Sequence, residues 1–388
     1  MRVLFSTTAG AGHFSPLIPF AKACQAAGHE VMVAAPASFA SSVAAASLAH
    51  APFADVPPDV MGAVFARLPS VPREEADAIV IGEVFGRLAP QAALAGVAAT
   101  VDEWRPDVVV REPVEFASWV AAERAGVPQA VVAIGVASMD EMAALPALRE
   151  PLAELRALAG LDDDPELARL AGLAYLSTVP PTFDTTDARR PDAIRRFRHP
   201  VEDDRPGRLP ASWGDPASPL VYVTFGSVTR TLPAFAPVYG AAVDALGDLP
   251  VRVLLTVGEG DGETVADVPG NVHIERWWPQ ADVMPLASAV VGHGGFGTTI
   301  TALAGGVPQI VLPLFAGDQF LNARRVADVG VGVCVEGGIG AIGDVPEALM
   351  RVLGEPGFAA SARLMAEEIA GLPDVSQAVP FLERLAPS

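Results

Sequence analysis

Lysine and cysteine are almost absent from this 388-residue sequence, which contains one lysine, Lys22, and two cysteines, Cys24 and Cys334. Walker-type phosphate loops and Schiff-base enzymes each need a lysine at a specific position, so the composition disfavours both chemistries. Two cysteines this far apart in the chain indicate neither a disulfide framework nor a zinc cluster. A reducing, cytoplasmic location is therefore expected.

Positive charge is also scarce, because 26 Lys and Arg residues face 46 Asp and Glu residues, for a net charge of −20. A field of this sign repels phosphodiester backbones and anionic lipid, so we expect neither a nucleic-acid nor a membrane partner. The chain turns polar soon after its first apolar residues, and no uninterrupted apolar run reaches the roughly 18 residues of a membrane span. Neither a signal peptide nor a transmembrane helix is predicted.

Apolar residues are abundant, at 51% of the chain. A single core rarely grows beyond roughly 250–300 residues, so this length favours two domains. Unbroken apolar strands that alternate with helical segments are typical of parallel sheets covered on both faces. The sequence predicts an α/β protein with two doubly wound, Rossmann-like domains facing each other across a cleft. The predicted strands are Arg2–Ser6, Val31–Ala35, Asp107–Val110, Gln129–Ile134, Leu220–Phe225, Arg252–Val257, Val272–Glu275, Ala289–Val291, Gln309–Leu312 and Gly332–Val335.

The segment Val179–Pro219 is dense in Pro, Asp and Arg and shows no clean periodicity. Such composition is typical of a linker with ordered loops, so we place the domain boundary near residue 210. An N-terminal domain with its linker is predicted over residues 1–210, and a C-terminal domain over residues 211–370.

A glycine-rich turn, Gly10-Ala11-Gly12-His13, follows the first predicted strand, and Ser15-Pro16 predicts the start of a helix. Glycines such as Gly12 let a ligand approach the backbone, and an imidazole on this turn can act as a general base. A histidine that only packs against the turn is the alternative. Ser15 stands where a dinucleotide fingerprint has its third glycine, which disfavours a dehydrogenase.

A general base works better when a carboxylate holds its second nitrogen. Glu112 follows the strand Asp107–Val110, and parallel strands end side by side, so Glu112 is the predicted partner of His13. The alternative is a solvated glutamate paired with Arg111. Asp140, beyond the strand that ends at Ile134, is a second candidate carboxylate.

The most specific motif is a glycine- and threonine-rich turn between a strand and a helix. Free backbone amides, hydroxyls and the helix dipole together favour an anion there, so we predict a phosphate or pyrophosphate site. A purely structural tight turn is the alternative. The motif comprises His293, Gly294, Gly295, Phe296, Gly297, Thr298 and Thr299.

Two shorter motifs flank this turn. Trp277-Trp278-Pro279-Gln280 offers a ring that can stack on a nucleobase, although buried core tryptophans are commoner. Asp318-Gln319 offers a carboxylate and an amide that suit sugar hydroxyls. A base-stacking ring, an anion site and a hydroxyl-binding pair in this order predict a nucleotide-sugar ligand.

These motifs together resemble bacterial natural-product glycosyltransferases of the two-domain GT-B fold, glycosyltransferase family 1. The resemblance is carried by Trp-x-Pro-Gln, His-Gly-Gly-x-Gly-Thr-Thr, Gly-Val-Pro-Gln and Asp-Gln-x-x-Asn-Ala between Trp277 and Asn322. Gly-His-x-x-Pro at Gly12–Pro16 is similar to the family's catalytic loop, and Thr224–Ser227 to the first strand turn of its second domain.

The resemblance implies an inverting transfer that needs no metal and no other cofactor. It implies that His13 deprotonates the acceptor, that Trp277 stacks on the base beside backbone contacts from Trp278, and that Ser227 helps to hold the pyrophosphate. The donor is expected to be a dTDP-deoxysugar, with a UDP-sugar as the second choice, and the acceptor a hydrophobic aglycone such as a polyketide. It also implies that residues 371–388 form a helix that returns to the first domain. The segments Met61–Phe65 and Met139–Met142 are candidates for contacting the acceptor.

Two departures from the family pattern bear on the site residues. Asp318 follows Pro313 at a spacing one residue longer than usual, and Glu112 stands where aspartate is common. Attachment through carbon instead of oxygen, and assembly into a homodimer, are left open. The alternative functions are a nucleotide-sugar 2-epimerase of the same fold and a catalytically dead auxiliary protein.

Overall fold

The computed structural model describes residues 1–136, 144–184, 194–200, 207–258 and 267–386. The chain divides into two compact units. Unit 1 comprises Met1–Thr178, Thr185–Arg198 and Pro373–Ser388, and unit 2 comprises Val179–Asp184 and His199–Leu372. The chain thus enters the larger part of unit 2 at His199, ahead of the boundary predicted near residue 210.

Unit 1 is built on a parallel sheet that has seven strands in the part of the chain that the structure describes. Their order is β3-β2-β1-β4-β5-β6-β7, so the winding direction reverses between β1 and β4. The strands are β1 (Arg2–Ser6), β2 (Glu30–Pro36), β3 (Ala49–Phe53), β4 (Val108–Arg111), β5 (Gln129–Val132), β6 (Ala174–Ser177) and β7 (Ile194–Arg196).

Helices cover both faces of this sheet. Ahead of the C-terminal segment, the α-helices of unit 1 within the described residues are α1 (Ala11–Phe14), α2 (Ile18–Ala26), α3 (Ala40–Ala45), α4 (Pro58–Phe65), α5 (Arg73–Ile79), α6 (Ala89–Trp104), α7 (Phe116–Ala125), α8 (Pro146–Leu158) and α9 (Ala168–Ala171). Short 3₁₀ turns span Ser15–Leu17, Ala37–Phe39 and Leu68–Ser70, and a π-helix spans Val80–Leu88.

Unit 2 repeats the same design. Within its described residues the parallel sheet has six strands in the order β10-β9-β8-β11-β12-β13, and the winding reverses between β8 and β11. The strands are β8 (Leu220–Thr224), β9 (Arg252–Thr256), β10 (Val272–Glu275), β11 (Ala289–Gly292), β12 (Gln309–Val311) and β13 (Gly332–Cys334). The α-helices are α10 (Val238–Leu246), α11 (Gln280–Val283), α12 (Phe296–Ala304), α13 (Gly317–Asp328), α14 (Val345–Gly354) and α15 (Pro356–Ala370), with 3₁₀ turns at Thr229–Thr231, Met284–Leu286 and Gly338–Asp344.

The predicted α/β class with two doubly wound parallel sheets is confirmed, and every predicted strand is present to within two residues at either end. Sequence reasoning missed β3, β6 and β7. Ile194–Arg196 lies inside the Pro-, Asp- and Arg-rich stretch that we interpreted as a linker, yet it pairs with β6 at the edge of the sheet. An edge strand needs fewer apolar side chains than a central strand. Its apolar pattern in the sequence is therefore weak.

The predicted helix start at Ser15 is wrong. Helix α1 already begins at Ala11, after Gly10, and Ser15, which has helical backbone angles, is the C-cap of α1 and not an N-cap. Gly10 has φ +126°, a conformation that L side chains rarely adopt, so this glycine lets the chain turn into a helix directly after β1. His13 therefore lies on a helical turn and not on an extended loop.

Alternation along each central strand divides its side chains between two cores. In β1, Val3 and Phe5 pack on one side of the sheet with α2, and Leu4 packs on the other with α6 and α7. In β8, Val221 and Val223 join one core, and Leu220 and Tyr222 join the other. Both faces of each sheet are thus buried, as near-continuous apolar strands predict.

One continuous helical stretch, Arg73–Trp104, is long and apolar enough to cross a membrane by length and composition, with 28% of its most apolar window buried. It comprises α5, the π-helix and α6. One such helix is weak evidence for a membrane span, since core helices of soluble proteins pass the same test. Here α6 contributes Val97 and Val101 to the core that also holds Leu4 of β1.

The C-terminal segment belongs to unit 1. Its 3₁₀ turn, Val375–Ala378, and its helix α16, Val379–Leu385, pack against α2. Leu382 is fully buried in the core that also contains Phe5 and Phe20. The segment therefore completes a hydrophobic core whose other buried members lie between residues 3 and 197.

We expect Leu382→Ala to destabilise the protein by about 2–5 kcal/mol, because it removes a fully buried side chain and leaves a cavity. The matched control is Leu364→Ala, since Leu364 is 66% exposed on α15 and its truncation should have little effect. Urea unfolding followed by circular dichroism measures both. Equal shifts of the two midpoints would show that α16 is not part of the core.

Candidate active site

In unit 1 the predicted catalytic residues lie where the winding of the sheet reverses. Strands β1 and β4 are parallel neighbours in which Ser6 pairs with Arg111. Their next residues leave the sheet at the same edge, and the amide of Glu112 donates to the carbonyl of Ser6 at 3.2 Å. Open α/β sheets bind ligands at such switch points, outside the carboxyl ends of the strands.

The structure brings His13 and Glu112 together. The distance from His13 Nδ1 to Glu112 Oε1 is 3.3 Å, and the same oxygen accepts the Thr8 hydroxyl at 2.8 Å and the Thr8 amide at 3.2 Å. Glu112 Oε2 accepts the Val114 amide at 2.7 Å. Glu112 is fully buried, so the alternative of a solvated loop glutamate is excluded, whereas the His13 side chain remains 23% exposed.

These contacts decide the charge of Glu112. Burial acts to raise its pKa, but His13, the Val114 amide and the Thr8 hydroxyl together outweigh burial and hold the pKa below its ordinary value. The carboxyl is therefore ionised at neutral pH. An anion that faces Nδ1 favours the imidazole tautomer with its proton on Nδ1, which leaves Nε2 as a proton acceptor.

Arg111 and Glu115 are also buried, and their hydrogen bonds within the described residues go to groups other than the Glu112 carboxylate. Arg111 is fully buried, and its Nη1 donates to the carbonyls of Glu112 and Pro113, both at 3.0 Å, and not to the Glu112 carboxylate. Burial lowers the pKa of Arg111 to about 10, so it remains a cation at neutral pH. Glu115 caps helix α7 through the amides of residues 117 and 118, and burial raises its pKa.

Sequence reasoning missed Phe85. Its ring lies 5.3 Å from the ring of His13, centroid to centroid, with the planes tilted by 37°. Phe85 lies on the π-helix, where Gly82 and Gly86 pack closely against α8: a Cβ at Gly82 would come within 2.8 Å of the Ala147 carbonyl oxygen. Two glycines four residues apart, Gly82 and Gly86, were a signal of close helix packing in the sequence. The π-helix that places Phe85 beside His13 is a rare structure without a clear sequence pattern, so this contact could not be predicted.

The remaining predicted residues of this unit have other outcomes. Gly12 lies exposed on α1, beside His13. Asp140 and the segment Met139–Met142 lie outside the described residues. Near the other candidate segment, Met61–Phe65, helix α4 and the π-helix line a groove of about 470 Å³ with Val60, Val64 and Leu88 on its walls.

In unit 2 the predicted anion site also lies at a switch point. Thr224 of β8 pairs with Gly292 of β11, and the loops that follow carry Ser227 and His293. Helix α12 begins at Phe296, directly after Gly295. The first amides of an α-helix have no partner within the helix, so those of Phe296, Gly297 and Thr298 can bind an anion.

The glycines of this turn are required by close packing. The ring of His293 lies between Gly226 and Gly295: a Cβ at either would come within 2.6 Å of an imidazole atom. Gly294 has φ +88°, and a Cβ there would come within 2.6 Å of the Gln319 carbonyl oxygen. Burial lowers the pKa of His293 to about 4, so this imidazole is neutral at pH 7 and can donate a hydrogen bond to a phosphate without carrying charge.

Gln280 and Thr298 form a direct pair in this site. Gln280 Nε2 donates to Thr298 Oγ1 at 2.9 Å, across 18 residues of sequence. Gln280 begins the short helix α11, which follows the tryptophan motif. The two motifs that the sequence predicted separately are therefore joined by a hydrogen bond.

The two tryptophans have different environments. Trp277 is 69% exposed, so its ring is available to a base. Trp278 is half-buried, its Nε1 donates to the Arg208 carbonyl at 3.0 Å, and the Arg208 guanidinium lies 5.6 Å from its ring. The stacking role that the resemblance implies for Trp277 stays a prediction.

Asp318 and Gln319 lie in the first turn of α13 and also differ. Asp318 is exposed, whereas Gln319 is buried, and Gln319 Oε1 accepts the amides of Leu314 and Phe315 at 2.9 and 3.1 Å. Gln319 thereby fixes the loop before α13, and only its amide nitrogen remains to contact a sugar. Asn322, which sequence reasoning treated only as part of a motif, donates to the Gly294 carbonyl at 2.8 Å and anchors the glycine turn.

Within the described ranges, no three His, Cys, Asp or Glu side chains are grouped so that they could hold a metal ion.

Family models for the N- and C-terminal domains of erythromycin biosynthesis protein CIII-like proteins match residues 22–195 and 241–385. The chain belongs to this CIII-like family. Its members are glycosyltransferases, and this chain is a natural-product glycosyltransferase with the GT-B fold, as the motifs predicted.

Relatives of this CIII-like protein align over nearly its whole length. It is similar to the L-demethylnoviosyl transferase of Streptomyces niveus, with 33% identity over 96% of this chain and 95% of the relative. It is also similar to the elloramycin glycosyltransferase ElmGT of Streptomyces olivaceus, with 32% identity over 96% and 94%. The crystal structure of the glycosyltransferase VinC in complex with dTDP superimposes with a TM-score of 0.79 and 25% identity, covering 99% of each chain.

The two buried glutamates of this CIII-like chain should respond to pH in opposite directions. A carboxyl whose pKa is lower in the folded protein than in the unfolded chain stabilises the fold at every pH above its unfolded pKa. This stabilisation is lost as the pH falls through the pKa of the folded state. We therefore expect the stability advantage of the wild type over Glu112→Gln to be complete at neutral pH and to shrink below an ordinary pKa near 4.5. Urea unfolding at a series of pH values measures it.

Glu115→Gln is the matched control, because the pKa of Glu115 is raised in the fold. The difference in stability between the wild type and this variant should be complete below pH 4.5. It should be lost as the pH rises through the pKa of Glu115 in the folded protein. Parallel pH trends for the two variants would contradict the assigned charges.

Proposed function

We propose that this glycosyltransferase moves a deoxysugar from a dTDP-sugar to a hydroxyl group of a hydrophobic polyketide aglycone, with inversion and without a metal ion. The observation that carries the proposal is the contact of a fully buried, ionised Glu112 with a partly exposed His13. This pair has the geometry of a general base with its orienting carboxylate.

Unit 1 is assigned the acceptor chemistry. His13 Nε2 takes the proton of the acceptor hydroxyl as the oxygen attacks the anomeric carbon, and Glu112 stabilises the imidazolium that forms. Phe85, beside His13, offers an apolar ring to the acceptor. The groove between α4 and the π-helix offers both apolar and charged side chains. It is lined by Val60, Ala63, Val64 and Leu88 and by Asp59, Arg67, Glu83 and Arg87.

Unit 2 is assigned the donor. Trp277 stacks on the base, and Ser227, His293 and the amides at the start of α12 hold the pyrophosphate. As the new glycosidic bond forms, the bond between the anomeric carbon and the phosphate oxygen breaks, and its electron pair leaves with the nucleoside diphosphate. The helix N-terminus and the Thr298 hydroxyl stabilise that developing charge, the role that a metal ion plays in other transferases.

Two comparisons support the nucleotide and the acceptor class. VinC, which superimposes over the whole chain, was crystallised with dTDP. The relatives include an elloramycin glycosyltransferase and the 10-deoxymethynolide desosaminyltransferase of Streptomyces venezuelae. We propose a cytoplasmic location, consistent with the low cysteine content.

The proposal is tested first by calorimetric titration of the protein with TDP, UDP and NAD⁺ in buffer that contains a chelator. TDP should bind without metal, more tightly than UDP. Thr298→Ala should weaken TDP binding by roughly 10–150-fold, since a hydrogen bond to a charged group contributes about 1.5–3 kcal/mol. Binding of NAD⁺ alone, or a requirement for Mg²⁺, would contradict the proposed donor site.

Replacement of His13 should affect alcohol and phenol acceptors differently. A phenol has a pKa near 10, far below that of an alcohol, so it depends less on a base. We expect His13→Ala to lower kcat with alcoholic aglycones by roughly 10²–10⁴-fold, the usual contribution of general-base catalysis, and with phenolic aglycones by a smaller factor. TDP release with a panel of both acceptor types measures this.

Glu115→Gln serves as the control in the same assay, because Glu115 is buried nearby but caps α7 and does not contact His13. Its kcat should equal that of the wild type with both acceptors. Epimerisation of a nucleotide sugar without acceptor would favour the epimerase. A chain that binds TDP yet transfers to no acceptor would favour the auxiliary protein.

A further inference from the structure

We infer that Thr8 is a positioning residue of the catalytic pair, whose hydroxyl holds Glu112 as an anion beside His13 and thereby keeps the imidazole ready to accept a proton. The inference rests on the proposed function, in which His13 is the general base. Thr8 lies ahead of the Gly-His-x-x-Pro motif, two residues after the last residue of β1.

Thr8 lies where the chain leaves the sheet of unit 1. The amide of Thr7 still donates to the Ala34 carbonyl of the neighbouring strand β2 at 3.0 Å. The amide of Thr8 donates instead to Glu112 Oε1 at 3.2 Å, and its hydroxyl donates to the same oxygen at 2.8 Å. Thr8 is 8% exposed and Glu112 is fully buried, so water has little access to these bonds.

The donors around the carboxyl group favour its ionised form. The amides of Thr8 and Val114 can only donate, and they reach the two different oxygens of Glu112. A carboxylate accepts from these amides and from the Thr8 hydroxyl, and a hydrogen bond to an ionised acceptor is stronger than one to a neutral acceptor. The Thr8 hydroxyl therefore stabilises the charged form of Glu112 over the neutral form.

His13 faces the same oxygen as Thr8. Its Nδ1 lies 3.3 Å from Glu112 Oε1, so the imidazole and the Thr8 hydroxyl share one acceptor. When the pair takes up a proton, the charge of Glu112 is either balanced by an imidazolium or removed, and the hydrogen bond from Thr8 is weakened in both cases. The hydroxyl thus favours the unprotonated pair, which is the state that can take a proton from a substrate.

Other charged groups near the pair do not depend on Thr8. The positive charge of Arg111 favours the Glu112 anion, and a negative charge on Glu115 opposes it. The π-helix packs on His13 through Phe85, and it carries two charged residues. Each of these has an oppositely charged partner at 2.7 Å, Arg67 for Glu83 and Glu154 for Arg87. Removal of the Thr8 hydroxyl therefore changes one donor to the pair and leaves these contacts in place.

The test is Thr8→Val, which removes the hydroxyl and keeps the branched shape, with kcat/KM for an alcoholic aglycone measured against pH. The loss of activity at low pH reports protonation of the pair in the free enzyme. This loss should move to higher pH by roughly 0.5–1 unit, a part of the value of a hydrogen bond to a charged group. Thr8→Ser retains a hydroxyl and should restore the wild-type profile.

Thr7→Val is the matched control. Thr7 is also buried, but its hydroxyl donates to the Thr8 carbonyl at 2.9 Å and not to Glu112. The pH profile of this variant should equal that of the wild type. An equal shift in Thr7→Val and Thr8→Val would show a general effect of altering this segment and would overturn the inference.

The protonation of His13 can also be followed without catalysis, by NMR of the imidazole resonance that is missing from a His13→Ala variant. Its titration midpoint should move upward in Thr8→Val by about the same amount as the activity profile. In a Glu112→Gln background no anion remains to be held, so Thr8→Val should leave the midpoint unchanged.

An unchanged midpoint in Thr8→Val, a shift to lower pH, or a shift that persists in the Glu112→Gln background would each overturn the inference. If Thr8→Val does not fold, Thr8→Ala removes the same hydroxyl and should move both measurements in the same direction.

The NMR titration distinguishes this inference from the proposed function. If the wild type transfers no sugar, the proposed function is overturned, and the titration still decides whether Thr8 controls the charge of the pair. If the wild type is active and Thr8→Val matches it in both measurements, the proposed function stands and only the role of Thr8 is overturned.

Discussion

The parallel pairing of β1 with β4, repeated as β8 with β11, is the constraint on which both sites depend. Each pair joins strands that are distant in sequence, and each is the point where the winding of its sheet reverses. The register Ser6–Arg111 places Glu112 beside Thr8, and the register Thr224–Gly292 places Gly226 beside His293. A shift of either pairing by one residue would turn the following side chains to the opposite face of the sheet.

Ten of the thirteen strands in the described residues could be predicted from the sequence, because their signals are local. An apolar run followed by glycines and a histidine indicates a strand that ends at a ligand site, and this pattern located His13 and His293. The pairing of His13 with Glu112 followed from one further rule, that parallel strands end at the same edge. The fold class was predicted from the same local patterns, whereas the family was predicted from the resemblance of the motifs between Trp277 and Asn322.

The rest depends on contacts between distant residues, which no local pattern shows. Phe85 reaches His13 only because the helix takes a π-helical course where Gly82 and Gly86 pack on α8. Gln319 is predicted as a sugar contact, yet its oxygen holds the amides of its own loop. The early helix start at Ala11 depends on the backbone angle of Gly10, which the stronger cap signal of Ser15 obscured.

The C-terminal segment has a consequence for the order in which the protein forms during translation. Unit 2 has all of its chain once Leu372 has left the ribosome, whereas the core of unit 1 still lacks Val375, Phe381 and Leu382. The half that is synthesised first therefore keeps one hydrophobic face open while the other half is made and can close its own core. Domains usually fold in the order of synthesis, the N-terminal domain first. Here the core of unit 1, which holds the N-terminus, is completed after that of unit 2. Apolar surface in the newly made N-terminal half stays exposed until these residues pack against it, and such exposed surface favours aggregation.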